Sequence, residues 1–367
     1  MKKISHVIVG AMCLISSAGA FAHAYKGEAG YKGETLIPVT VPNFQGGFEF
    51  GISALYLRPS SSNLDYVGVS RELPEINSFD KTNFHQRNIS PDYHWGFLLQ
   101  LGYVFPNTGN DVRINWTRLH DNGDTNSSAV HGSAVDSVDV ETIFGEFLGL
   151  DDGDVLHAKG EATYQFDAVD FDFGQFINIG NSLQTRLFAG LRWARLNNDL
   201  SYAYHGTAFL DELLVSTHTF HASAESDSSF NGVGPLFGVS ANYEVGYGFG
   251  VSGTLDAALL VGNLDLSQSD HSLEVLTSNG SITNESVENF NDGSENVIAP
   301  AFDAKLGVNY NYAMSNGMQF MLELGYQVSK YFDVIETGSY DVEFHQAPTE
   351  TSNFGLNGPY LTLNVKI

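Results

Sequence analysis

The chain has 367 residues, with 43 Asp and Glu against 17 Lys and Arg, a net charge of −26 at pH 7. That balance excludes nucleic acid as a partner, because phosphate contacts need a basic surface. Aromatic residues at 13% and 38 glycines suit strands and turns, and they exclude a wholly disordered chain.

In chain order, Lys2 and Lys3 precede a largely apolar run from Ile4 to Ala18, and Ala20-Phe21-Ala22 supplies small residues where a signal peptidase cuts. Residues 1–22 are thus expected to be a cleaved secretory signal, with Ala22-His23-Ala24 as a second possible cut. The only cysteine, Cys13, lies inside it. The exported chain therefore has no thiol, which excludes disulfides and cysteine-based metal or nucleophile chemistry. No later run reaches the 18 or more consecutive apolar residues of a spanning helix. Residues 23–45, with Tyr25-Lys26-Gly27-Glu28 echoed by Tyr31-Lys32-Gly33-Glu34 and with Pro38 and Pro42, are expected to be a flexible periplasmic segment.

From residue 46 onward the sequence alternates with period two, the signature of strands whose successive side chains leave opposite faces. A first strand runs through Phe48, Phe50, Ile52 and Ala54 and stops near Arg58-Pro59. Trp95, Phe97, Leu99, Leu101, Tyr103 and Phe105 then form one continuous apolar face, and the turn 106–111 leads into Val112, Ile114 and Trp116 opposite Arg113, Asn115 and Thr117. Eleven residues suit a tilted strand crossing a bilayer, which takes roughly 9 to 11.

His120 to Lys159 is expected to be an acidic loop. Beyond it, Ala162, Tyr164 and Phe166 are apolar, but the parity then slips to Val169, Phe171 and Phe173, which suggests a bulge. A Gly180-Asn181-Ser182 turn leads to Leu187, Leu191 and Trp193. After a second expected loop, 197–232, the runs Val233 to Tyr243 and Val251 to Val261 form a third hairpin. After a third, 262–300, the runs Phe302 to Tyr312 and Met318 to Val328 form a fourth, and Leu361 to Ile367 is a last strand.

Four hairpins plus one strand at each end predict an all-β, closed antiparallel transmembrane β-barrel over 46–367. About ten strands are expected, within a range of 8 to 14, with short periplasmic turns and long extracellular loops. Since lipid leaves no backbone group unpaired, the first and last strands must meet. A mean hydropathy of −0.11 is compatible with this, because only alternate strand residues meet lipid.

Parity assigns Arg113, Arg186, Arg192, Lys305, Glu49, Asp167, Glu244, Asp256, Asp303 and Glu323 to the lumen. It places Trp95, Tyr103, Phe105, Trp193, Tyr243, Tyr310, Tyr312 and Tyr326 at the lipid interface, where amphipathic rings gather. Charged rings in a lumen can select ions, giving a porin-like channel for passive diffusion of ions and small hydrophilic solutes. Interior charges can equally pair and fill a narrow barrel, leaving a non-conducting surface barrel that acts through its acidic loops as an adhesin or structural protein.

Asp151, Asp152 and Asp154 are the densest oxygen cluster but lack a known calcium-loop spacing. The twelve histidines show no helical i, i+4 pair, so neither a metal nor a cofactor is indicated. Asp92-Tyr93-His94 beside Asp152-Gly153-Asp154 invites comparison with barrel proteases, but so acidic a chain produces such spacings by chance; lipase-like Ser/His catalysis lacks a nucleophile context, and no enzymatic activity is expected.

The chain resembles the Legionella-type major outer membrane protein family. The likeness rests on Gly47-Phe48-Glu49-Phe50-Gly51, Leu57-Arg58-Pro59, Gly96-Phe97 with Gly102-Tyr103, and Asp172-Phe173-Gly174-Gln175. It continues in Gly232-Val233-Gly234-Pro235, Leu322-Glu323-Leu324-Gly325-Tyr326-Gln327 and Gly358-Pro359-Tyr360-Leu361. The resemblance implies a Gram-negative outer-membrane barrel with a pore or surface role. The chain departs from the usual pattern at its end, where Ile367 stands in place of an aromatic residue. Expected partners are outer-membrane lipids and lipopolysaccharide, the outer-membrane assembly machinery, and host-surface ligands or further copies of the chain.

Overall fold

The computed structural model describes residues 38–73, 81–133, 137–141, 147–150, 153–208, 217–277, 281–315, 317–338 and 349–367. The expected signal, 1–22, and most of the expected flexible segment, 23–45, lie outside these residues.

Sixteen strands follow in order. They are β1 (Val39–Thr40), β2 (Gly47–Ser61), β3 (Asp65–Leu73), β4 (Lys81–Asn88), β5 (His94–Val104), β6 (Asn110–His120), β7 (Asp124–His131) and β8 (Ser137–Glu141). The rest are β9 (Phe147–Leu150), β10 (Val155–Ile179), β11 (Leu183–Ala208), β12 (Thr217–Gly246), β13 (Phe249–Thr277), β14 (Ser281–Ala313), β15 (Gln319–Gly338) and β16 (Thr349–Lys366).

Ten of them, β2, β5, β6 and β10 to β16, close into an antiparallel ring, because β10 pairs both β11 and β6 while β16 pairs β2. The expected barrel of ten strands is therefore present, and its two end strands meet at Glu49 and Lys366. The seam is tight. Phe48 and Ile367 exchange both backbone hydrogen bonds, at 3.1 and 2.9 Å. Gly47 enters it at φ +141°, and a Cβ there would overlap the Ile367 carbonyl oxygen, so both conformation and space demand glycine. At the same end, Val39–Thr40 of β1 pairs with Asn178 and Ile179.

Strands β10 to β14 run 25 to 33 residues, far beyond the roughly 9 to 11 that span a bilayer. Much of what the sequence pattern suggests as loop at 197–232 and 262–300 is strand continuing outward. The outward face records where lipid ends. Trp193, Val233 and Val261 are cross-strand neighbours, and two residues further out so are Arg195, Asn231 and Asn263. Apolar outward residues below this line fit lipid, and polar ones above it fit water.

The inward face follows the opposite rule. On β10 the even-numbered residues face in throughout, as Ala162, Tyr164, Phe166 and Ala168 and then Asp170 and Asp172. No bulge interrupts it, since β10 keeps unbroken register with β11 from Leu156 to Ile179. The slipped parity marks the chain passing from water to lipid, where the apolar face changes sides.

The outer part of the bore is filled by one apolar cluster. Tyr164, Tyr204, Phe230 and Phe354 in it are each less than 2% exposed. A second sheet, in the order β4-β3-β8-β9, joins this cluster through Tyr66, Val67, Val69, Val138, Val140 and Leu150. Tyr204 donates a hydrogen bond to the Tyr66 carbonyl, and the missing side chain at Gly160 leaves room for Tyr66 and Ile89.

Candidate functional site: a charged cavity in the inner barrel

Beneath the apolar cluster lies a cavity of about 410 Å³, roofed by Phe166, Tyr331 and Leu356 and walled by polar and charged side chains. Alternation carries these residues inward because the opposite face of each strand is committed to lipid. Eight of the ten residues expected in the lumen line it: Arg113, Arg186, Arg192, Lys305, Glu49, Asp256, Asp303 and Glu323.

Two are placed differently. Asp167 faces outward, where it accepts a hydrogen bond from Trp116 Nε1 at 3.2 Å and lies 3.8 Å from Arg118 Nε and 3.3 Å from His120 Nε2. Its expected lumen position came from treating the polar face of the upper β10 as the inner one, which the water outside reverses. Glu244 has inward parity but is exposed at the turn end, outside the cavity lining.

The cavity charges form two clusters. Arg192, 5% exposed, is held by Asp170 with Nε–Oδ1 2.6 Å and Nη2–Oδ2 2.7 Å, a bidentate pair, and its Nη2 is 3.1 Å from Asp256. Its Nη1 bonds Asp303. Nearer the turns, Arg186 donates from Nε to both oxygens of Asp111, at 2.8 and 2.9 Å, and bonds Asp172. Arg113 lies 2.8 Å from the same Asp111 and 3.0 Å from Glu49. A Cβ at Gly174 would overlap the Arg186 guanidinium, so this glycine makes room for the pair. Tyr360 donates to Glu323 at 2.5 Å.

Asp111, Asp170, Asp172 and Lys366, whose Nζ lies 3.9 Å from Glu49, complete these networks although the sequence pattern did not single them out as site residues. Asp170 and Asp172 carry the inward parity of β10, and Asp111 stands one alternation before Arg113, so the signal was present. What concealed it was the apparent register slip and the turn beside Asp111. Bidentate arginine–carboxylate pairs in a low-dielectric interior fix geometry firmly. Here every arginine is tied to carboxylates, Arg192 to three of them and Arg186 and Arg113 to Asp111, Asp172 and Glu49, so no guanidinium is left free in these clusters and the formal excess is acidic.

The expected interface aromatics all carry outward positions. Trp95, Phe105, Trp193, Tyr243, Tyr310, Tyr312 and Tyr326 are 36 to 70% exposed, and Tyr103 packs on Phe48 with ring centroids 5.0 Å apart. Tyr103 and Trp95 lie eight residues apart on β5, roughly 26 Å along the strand. At the tilt of about 40° usual for such strands this is roughly 20 Å of height, so the two rings lie within an apolar band of about 25 Å.

Outside the cavity, Asp151 and Asp152 of the weak acidic candidate lie outside the described residues, and Asp154 is buried. The histidines are less scattered than their sequence spacing suggests. Register aligns His157, His205 and His221 across three strands, with ring centroids 4.8 and 6.3 Å apart. On the same water-facing surface Asp199 stands directly opposite Asp227, and burial, with the Asp227 charge adding to it, raises the Asp199 carboxyl above its ordinary value.

A carboxyl with a raised folded-state pKa costs stability above that pKa, and the cost disappears as pH falls until both states are protonated. Asp227→Asn is therefore expected to stabilise the protein by ~0.2–1 kcal/mol at pH 7, the usual size of a directly opposed like-charge pair. The gain should fade as pH drops through the Asp199 pKa, as denaturant titration of both proteins across pH will check.

Among solved structures, the outer membrane protease OmpT of Escherichia coli aligns over 89% of this chain and 99% of its own, at 11% identity and a TM-score of 0.38. A FadL homologue of Pseudomonas aeruginosa aligns over 87% and 90%, at 7% identity and a TM-score of 0.22. The toluene transporter TodX of P. putida aligns over 87% and 89%, at 7% identity and a TM-score of 0.21. No curated protein matches the sequence. The family described as the Legionella pneumophila major outer membrane protein precursor matches residues 40–367, which takes in every strand of the ring, and the chain belongs to this family of outer-membrane proteins.

Proposed function

We propose that the protein is a sealed outer-membrane barrel: a structural and surface-presenting protein without enzymatic activity that acts through its acidic extracellular extension. What supports this reading is the filling of the outer bore, where Tyr164, Tyr204, Phe230 and Phe354 pack between the charged cavity and the outside. An ion has no favourable route through packed aromatic rings, because leaving water for an apolar environment costs far more than any local attraction returns. The pairing of Arg186 and Arg192 with carboxylates supports the same reading.

A second reading is a porin-like channel for ions and small hydrophilic solutes. Its support is the charged cavity of about 410 Å³, and conduction would require the extension's core and the small sheet to move aside. Planar-bilayer recording separates the two. The purified, refolded full chain is expected to insert without conducting. Stable unitary conductance with defined ion selectivity overturns the sealed barrel in favour of the channel.

A further inference from the structure

Where β6 ends, the chain breaks at residues 121–123 before β7 resumes pairing with β10. One residue more lies on this side than on the β10 side, since His120 faces Gln165 and Asp124 faces Ala162. Asp121 continues the inward parity of Arg113, Thr117 and Leu119, and the extra residue of the break brings Asp124 to the same side. Asp121 Oδ1 accepts the Tyr164 backbone N–H at 2.8 Å and the Gly123 N–H at 3.3 Å. Its Oδ2 has no hydrogen-bond partner, although Asp121 is only 7% exposed.

Two further donors converge there. Asp124 opens β7 and His94 opens β5, and their side chains meet with Nε2–Oδ2 at 2.7 Å. The same Asp124 oxygen accepts the Asp92 backbone N–H at 3.0 Å. One donor atom each from His94, Asp121 and Asp124 lies within 4.8 Å of the others. Among the described residues neither carboxylate pairs with an arginine or lysine, in contrast to the cavity carboxylates held by Arg186 and Arg192.

We propose that His94, Asp121 and Asp124 form a binding site for a divalent first-row transition cation at the outer rim of the barrel. The donor set decides the class. An imidazole nitrogen with two carboxylate oxygens suits Zn²⁺ and its neighbours, whereas Ca²⁺ and Mg²⁺ take oxygen donors. A tetrahedral ion with bonds of about 2.0 Å separates its ligands by about 3.3 Å, so no pair here has to close by more than roughly 1.5 Å, while His94 Nε2 and Asp124 Oδ2 open from 2.7 Å as their direct hydrogen bond gives way to the ion. The cation supplies the missing partner of Asp121 Oδ2. It also ties together the starts of β5 and β7 and the break between β6 and β7, three points no backbone ladder joins directly. A fourth position is left for water.

The test is calorimetric titration of the refolded full chain in micelles with Zn²⁺. It is run in a His205→Ala background so that the surface row of His157, His205 and His221 does not contribute. One saturable site per chain is expected, with a Zn²⁺-dependent rise in unfolding temperature and no displacement by a tenfold excess of Ca²⁺. Asp124→Asn should weaken binding at least tenfold and abolish the thermal shift. His94→Gln, which keeps a hydrogen bond to Asp124, should do the same in a chain whose heat-modifiable migration confirms a folded barrel. Absence of saturable binding, or binding that both variants leave intact, overturns the site.

Discussion

Replacing Arg192 by methionine is expected to destabilise the barrel by ~3–5 kcal/mol, the usual result of removing one partner from a buried ion pair. Arg192 stands among Asp170, Asp256 and Asp303, carboxylates from three different strands, and is itself 5% exposed. Methionine fills a similar volume, so the loss measures charge and not a cavity. Equilibrium unfolding in detergent micelles, with the heat-modifiable gel shift as a second readout, gives the difference. A network explanation makes a further demand: Asp303→Asn added to Arg192→Met should recover part of the loss, because it removes one of the stranded charges. An Arg192→Met protein as stable as the wild type shows the cluster to be solvated and removes the ion-paired interior on which the sealed barrel partly depends.

The ring of ten strands was legible because lipid imposes one rule on every spanning strand: apolar outward, polar inward. Tyr103 and Phe105, Leu187 and Leu191, and Tyr310 and Tyr312 all obey it, and so did eight of the ten lumen charges. The extension obeys a second rule that opposes the first. Above Trp193 the outside is water, so Arg195 and Asn197 face out while Leu196, Leu200 and Tyr202 face in. A sequence that inverts its parity without changing register looks like a strand followed by a bulge or a loop, as it did along β10. Asp167 was misplaced by that inversion alone.

The rim cluster was hidden for another reason. His94 and Asp124 are thirty residues apart, and the β5–β6 register, pairing Gly96 with Leu119, together with the break that lets β7 pair Asp124 with Ala162, brings them together. The histidine row is the same case, with His157, His205 and His221 aligned by two successive strand pairings. Chemistry assembled across a sheet leaves no short motif, whereas a helix would show it as i, i+4 spacing.

Phe354→Ala is expected to cost ~3–5 kcal/mol as well, but in a different part of the molecule. Phe354 is fully buried at the floor of the extension, with ring centroids 5.6 Å from both Tyr164 and Phe166 and 6.4 Å from Tyr331. No strand crosses lipid at that level, so the loss falls on the extension while the membrane ring keeps its own hydrogen-bond closure. The three tryptophans report the distinction, since Trp95, Trp116 and Trp193 all stand near the outer boundary of the apolar band. Denaturant should therefore change their fluorescence in two steps for Phe354→Ala, the first at lower concentration than in the wild type, and limited proteolysis should cut the extension before the ring. Leu306→Ala, a comparable truncation on the lipid face where Leu306 is 66% exposed, should leave both steps in place because lipid refills the space. If Phe354→Ala unfolds in a single step with no early cleavage, extension and ring are one cooperative unit. The bore then could not open by moving the outer core alone, which would leave the channel reading without its gate.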